Sequence, residues 1–128
     1  MNPDDVKPSP AVDPRGNRML RSLKPEELAR IAPGLEPVQL PRPTELEAAN
    51  EPVEFVYFPT KGIASIVALD EDGQSVDTAM VGREGMTGLA VYLGVGQSPA
   101  QTIVQIPMTG VRMRSDALRR ELTTVAPW

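Results

Sequence analysis

The chain is 128 residues long, with 41% hydrophobic and 23% charged residues and a formal net charge of −4, which suits one domain with its own core. It contains no cysteine and no histidine, so disulfides, thiolate zinc sites, iron–sulfur clusters, cysteine nucleophiles, Ser-His-Asp triads and histidine metal sites are all excluded. Only carboxylates, lysines and tyrosines are left for catalysis; binding is therefore favoured over enzymatic function, and no cofactor or metal is expected.

The charge is unevenly spread. Between residues 51 and 110 the acids Glu51, Glu54, Asp70, Glu71, Asp72, Asp77 and Glu84 face only Lys61 and Arg83, whereas Arg112, Arg114, Arg119 and Arg120 make a small basic patch beyond. An acidic chain is a poor nucleic-acid binder as a whole. No apolar run approaches the ~20 residues of a membrane span, and the N-terminus lacks the basic flank and apolar stretch of a signal peptide. A cytoplasmic location without a membrane partner is expected.

In chain order, residues 1–16 hold Pro3, Pro8, Pro10 and Pro14 and read as a disordered leader. Two short helices follow over residues 17–32. Pro25 sits in the first turn of the second, with Glu26 and Glu27 at the positive end of its dipole, and Pro33-Gly34 stops it. From Leu35 to about Met113 the pattern is that of strands: Val38 and Leu40 alternate with polar neighbours, Leu46 marks a weaker stretch, and residues 53–58 are rich in β-formers. Pro59-Thr60-Lys61-Gly62 reads as a turn before the apolar run 63–69, and Asp70-Glu71-Asp72-Gly73 as a tight hairpin returning through residues 74–81. Pro99 and Gly110 bracket a further hairpin, 102–106 with 111–113. Tyr57 and Phe58 point to opposite faces, which leaves one of them open to exposure, and Met80, Met86 and Met113 read as core filler. Ser115 is the N-cap candidate of a last helix whose apolar face is Leu118 and Leu122. The fold class is mainly β with flanking short helices, a sandwich or jelly roll.

Residues 82–96 break the alternation with five glycines, at 82, 85, 88, 94 and 96. One reading is a backbone cradle whose amides converge on an anion, with a helical turn over residues 89–93; the other is a tight connection plugging the roll. The segment has no Gly-Lys-Ser/Thr and is not a nucleotide P-loop.

The run Glu51-Pro-Val-Glu-Phe-Val-Tyr-Phe-Pro-Thr-Lys-Gly62, then Asp72-Gly73, then Gly82-Arg-Glu-Gly-Met-Thr-Gly88-Leu, then Thr102-Ile-Val-Gln-Ile resembles the sensory domain of Crp/Fnr-type bacterial transcription regulators. The resemblance implies a cyclic-nucleotide-binding-like double-stranded β-helix over residues 17–122, with 123–128 as a C-terminal tail. It also implies ligand binding around Gly82, Arg83, Gly85, Met86, Thr87, Gly88 and Leu89, and at Ala100, Gln101 and Thr102. In cyclic-nucleotide-binding members a Gly-Glu-Leu step holds the ribose and an arginine holds the phosphate. Here Leu89 stands at the glutamate position, and Ala100 or Gln101 at that of the arginine. Two lost charged bonds at about 1–3 kcal/mol each weaken binding by about a hundredfold to ten-thousandfold, so tight cyclic AMP binding is not expected. Arg83 is the one nearby cation, and its bland role is an ion pair with Glu84 or Asp77. A small-molecule effector and a second copy of the chain are the partners implied. The long dimerisation helix and winged helix-turn-helix of the family do not follow in this sequence, so no direct DNA contact is expected from it. The competing reading is a β-roll that binds no small molecule and serves protein interaction alone.

Overall fold

The computed structural model describes residues 7–8, 12–69, 72–88 and 100–125. Six strands form one antiparallel sheet: β1 (Lys7–Pro8), β2 (Glu36–Leu40), β3 (Glu45–Glu47), β4 (Phe55–Leu69), β5 (Ser75–Val81) and β6 (Ala100–Arg114). Among the described residues three helices flank it: α1 (Arg18–Arg21), α2 (Pro25–Ile31) and α3 (Ser115–Val125). The order across the sheet is β1-β2-β6-β4-β5, and β3 lies against the first part of β6 beyond β2. No described helix is long and apolar enough to cross a membrane.

Both long strands correct the sequence reading. Pro59 to Gly62 is not a turn: β4 runs through it for 15 residues, paired with a β6 of the same length that also runs through Gly110. Pro59 lies opposite Gly110, and the register slips at Pro59/Lys61, Lys61/Ile63 and Ile63/Ala64. Bulges of this kind bend and twist a ribbon without ending it. Gly62 has φ +87°, and a Cβ there would sit 2.4 Å from the Pro107 carbonyl oxygen, so glycine is needed where the bent strands approach. The turn-forming residues mark the bend of one long antiparallel pair, β4 with β6, rather than the ends of shorter strands. β4 and β5 pair antiparallel up to Leu69 opposite Ser75, as the expected hairpin requires; Asp70 and Glu71 of its connection lie outside the described residues.

Alternation along β4 feeds two cores. Val56 and Phe58 join Leu20, Val53, Met86, Val111, Met113 and Leu118 on the side of the helices. Tyr57 and Ala64 join Val38, Leu40, Leu46, Val104 and Met108 inside the roll, with Phe55 packed against them. Tyr57 and Phe58 are therefore both buried, and neither is the exposed aromatic that adjacency suggested. Met86 and Met113 are core, but Met80 is 66% exposed because β5 is an edge strand with one open face.

The termini of the fold also differ from expectation. Within the stretch read as a leader, Lys7–Pro8 pairs with β2, Val12 packs on the helix-side core, and Asp13 caps a 3-10 turn at Pro14–Gly16. At the other end α3 continues through Thr123 and Thr124 to Val125. Its Ser115 is no cap by side chain: the Ser115 N–H donates to the Glu54 carbonyl (2.9 Å), while its hydroxyl is buried without a partner among the described residues. The four C-terminal arginines do not share a face. Arg112 points into the roll, donating to Glu36 (2.6 Å) and stacking 3.9 Å over the Phe55 ring, whereas Arg114 is exposed and pairs with Asp116.

Candidate functional site

The glycine-rich segment leaves β5 through a tight turn. The Gly85 N–H donates to the Gly82 carbonyl (3.2 Å), and the Gly82 N–H donates to the Glu84 carboxylate (3.0 Å). Arg83 accepts the Arg18 N–H on its carbonyl (2.7 Å), fastening the turn to the start of α1. Its side chain is exposed and makes no ion pair among the described residues; Glu84 is spent on Gly82, so the expected Arg83–Glu84 pair does not form.

Asn17 is the clamp. Fully buried, it caps α1 by accepting the Leu20 N–H (3.1 Å) and donates from Nδ2 to the carbonyls of Gly85 (2.8 Å) and Pro59 (2.9 Å). One side chain thus joins the helix start, the glycine turn and the bend of β4. Thr87 then docks on β4 as a strand would: its N–H donates to the Tyr57 carbonyl, and its hydroxyl accepts the Tyr57 N–H, both at 3.0 Å. Gly88 follows at φ +76°, where a Cβ would lie 2.5 Å from Val56 Cγ1.

Over residues 82–88 these bonds fit the tight connection rather than the cradle. The amides of Gly82, Gly85 and Thr87 do not converge on an open anion site; each already serves an acceptor of this chain. The Gly88 amide lies close enough to the Glu47 carboxylate to favour its charged form. Burial pushes the Glu47 pKa up, and the Gly88 amide opposes that rise without cancelling it. An unsatisfied buried amide costs about 1–3 kcal/mol, so a segment evolved without a permanent anion needs such internal partners.

The second half of the candidate site is the start of β6. Ala100, Gln101 and Thr102 pair with Ala68, Val67 and Ile66 of β4, and Thr102 also lies in register with Glu47 of β3. Thr102 is buried, and Gln101 donates from its side-chain amide to the Glu45 carboxylate. The structure therefore brings Gly88, Gln101 and Thr102 together around β3. Gly82, Arg83, Gly85 and Met86 turn instead toward α1 and the helix-side core. Leu89, like the rest of the 89–96 stretch, lies outside the described residues.

Two acids and one amide were missed by sequence reasoning. Glu45 and Glu47 flank Leu46, so a strand with Leu46 inside the roll places both carboxylates on the opposite face; that alternation was the available signal. Asn17 carried only the general signal of a helix cap. No group of three or more acids among the described residues is arranged to hold a metal ion.

The sequence matches no protein-family model and no curated protein. In three dimensions it is similar to the sensor domain of the transcriptional regulator DNR from Pseudomonas aeruginosa, at 19% identity and TM-score 0.69, covering 88% of this chain and 76% of that one. It is similar to the N-terminal domain of a transcriptional regulator from Streptomyces coelicolor at 20% identity and TM-score 0.69, covering 88% and 80%. A third likeness is to the regulatory subunit of a cAMP-independent protein kinase A from Trypanosoma cruzi bound to guanosine, at 15% identity and TM-score 0.75; it covers 85% of this chain but 39% of that one. At these identities the likeness establishes the fold, a jelly roll of the cyclic-nucleotide-binding type, and the neighbours that share it are regulatory or sensor domains.

Proposed function

We propose that this chain is a regulatory sensor domain of the Crp/Fnr type, serving transcriptional control by binding a small effector, and that its effector is not a cyclic nucleotide. The observation that carries the reading is the pair of carboxylates on β3: Glu47 faces the Gly88 amide and Glu45 accepts from Gln101, at the places where a cyclic phosphate would need an amide and a cation. Two like charges about 4 Å apart at an effective dielectric of about 20 repel by about 4 kcal/mol, which is about a thousandfold in affinity. The same carboxylates accept hydrogen bonds from hydroxyl groups without that repulsion. An uncharged, hydroxyl-bearing molecule of nucleoside size suits them. The neighbour bound to guanosine supports a nucleoside in a roll of this fold. Candidate contacts are Gly88, Gln101 and Thr102, with Glu45 and Glu47 added to them; Gly82, Arg83, Gly85, Met86 and Thr87 hold the segment in place.

Thermal unfolding with millimolar adenosine, guanosine, cyclic AMP and cyclic GMP tests the proposal. The nucleosides raise the midpoint, by several degrees if present at about 100 times the dissociation constant, and the cyclic nucleotides do not. A cyclic-nucleotide shift overturns the exclusion. No shift with any of the four removes the nucleoside and moves the choice to the protein-interaction module.

A further inference from the structure

On the helix side of the sheet, a cavity of about 160 Å³ opens between the N-terminal helices, the strand β4 and α3. Its walls are Met19, Leu20, Leu23, Ile31, Phe58 and Leu118, with Met86 at the base. Interiors are packed nearly as densely as organic crystals, so a space of this size between well-formed elements calls for an occupant or an explanation. A dry apolar cavity of about 150 Å³ is enough to take up benzene, which sets the scale of the body that fits. Methionines on two sides give walls that adjust to shape.

The lining has one polar anomaly. Glu121 of α3 borders the cavity, and its Oε2 is shut off from solvent with no hydrogen-bond partner among the described residues. Two other charged residues border the cavity: the Glu27 carboxylate accepts the Lys24 N–H (2.9 Å) as the N-terminal box of α2, and Arg30 is exposed and makes no ion pair with Glu121. A shielded carboxylate oxygen is costly unless a donor meets it. The cavity therefore offers an apolar slot of one-ring size ending in an acceptor that lacks a donor.

We propose that this cleft is a second binding site, for a small amphiphile with a single-ring or short branched apolar body and an ammonium or hydroxyl head that donates to Glu121. It stands independently of the reading given to Gly88, Gln101 and β3. The base of the cleft is Met86, whose neighbour Thr87 is bonded to Tyr57 on both its N–H and its hydroxyl, so an occupant presses on the segment that leads to Gly88.

The test uses the full chain and three probes of one shape: benzylamine, toluene and benzoate, followed by methyl NMR. Benzylamine is expected to bind more tightly than toluene and to move the methyl resonances of Met19, Met86 and Leu118; benzoate is expected to bind least. Glu121→Gln is expected to weaken benzylamine by about tenfold, the loss of one charge-assisted bond, while leaving toluene unchanged. Met19→Trp, which fills the cleft from a partly exposed wall, is expected to abolish binding of both with the fold retained. Three results overturn the proposal: no binding of benzylamine to the wild-type chain, equal loss of toluene and benzylamine in Glu121→Gln, or resonance shifts confined to Val38 and Val104 inside the roll.

Discussion

On one face of β4, Phe55 and Tyr57 look into the roll, where Arg112 meets Glu36 and Tyr57; on β3, on the face away from Leu46, Glu47 faces the Gly88 amide and Glu45 meets Gln101. On the other face of β4, Val56 and Phe58 look toward the helices, where apolar side chains border a space they do not fill. The contrast follows from what each kind of surface tolerates when empty. A buried amide or guanidinium without a partner loses its full solvation, so the polar face has closed on itself with groups from its own chain. An unfilled apolar cleft forfeits only dispersion contacts and some transfer energy, so it stays open at modest cost. A ligand for the polar face must replace an internal partner, whereas a ligand for the apolar cleft has only to fit.

Four substitutions sharpen or break that contrast, from the largest effect to the smallest. Gly88→Ala places a methyl 2.5 Å from Val56 Cγ1 at a φ of +76°; backbone strain and overpacking together cost about 3–5 kcal/mol, read by denaturant unfolding. A loss under about 1 kcal/mol would mean that the polar face is not held as rigidly as its bonds imply. Asn17→Ala removes the clamp common to both faces, a helix cap and two bonds to carbonyls; about 2–4 kcal/mol is expected. A selective loss of protection at the Leu20 amide in hydrogen exchange would accompany it.

Arg112→Lys keeps the charge but gives up the planar stack 3.9 Å over Phe55 and the directed bond to Glu36. About 1–2 kcal/mol is expected. Here burial alone would lower the guanidinium pKa, but the bonds to Tyr57 and Glu36 outweigh it and the net shift is upward, so the charge itself is not what the lysine loses. An unchanged midpoint would show that the stack contributes nothing.

Glu47→Gln gives the smallest effect, and one that depends on pH. Burial raises the Glu47 pKa in the folded state, so the folded chain keeps this proton to higher pH than the unfolded chain. The wild type is therefore unpenalised below the unfolded-state pKa and loses stability as pH rises through the folded-state value. Unfolding of both chains should show the Gln variant gaining on the wild type as pH increases across that range, then a constant difference. A gap that instead widens toward acid pH would mean that Glu47 is held mainly as a carboxylate.

Much of this architecture was legible from residue order. Alternation about Val38, Leu40 and Leu46, the proline at the start of α2 and the antiparallel return of the chain after Leu69 all lie where local rules put them. The two errors in strand layout share one cause. Proline and glycine at Pro59, Gly62 and Gly110 interrupt a strand locally, but here they face one another across a ladder, and the neighbouring pairs carry both strands through the bend. The candidate site was legible in part. The glycines at 82, 85 and 88 stand out in the sequence as a departure from the sheet, and the Gly82 and Gly85 amides find acceptors within the same turn; the Gly88 amide faces Glu47 and Gly85 is held by Asn17, and no local signal joins those.

By itself the sequence determined what the chain cannot use, having neither cysteine nor histidine, and which residues carry the period of strand or helix, because periodicity and capping are properties of a few neighbouring residues. Tertiary structure decided the rest. It set which amides are already taken, which side of β4 is polar and which is open, and that Glu121 should border a cavity with no donor for its Oε2 among the described residues. Those are matters of distance between segments far apart in the chain, and the free energy of a buried polar group depends on what meets it there.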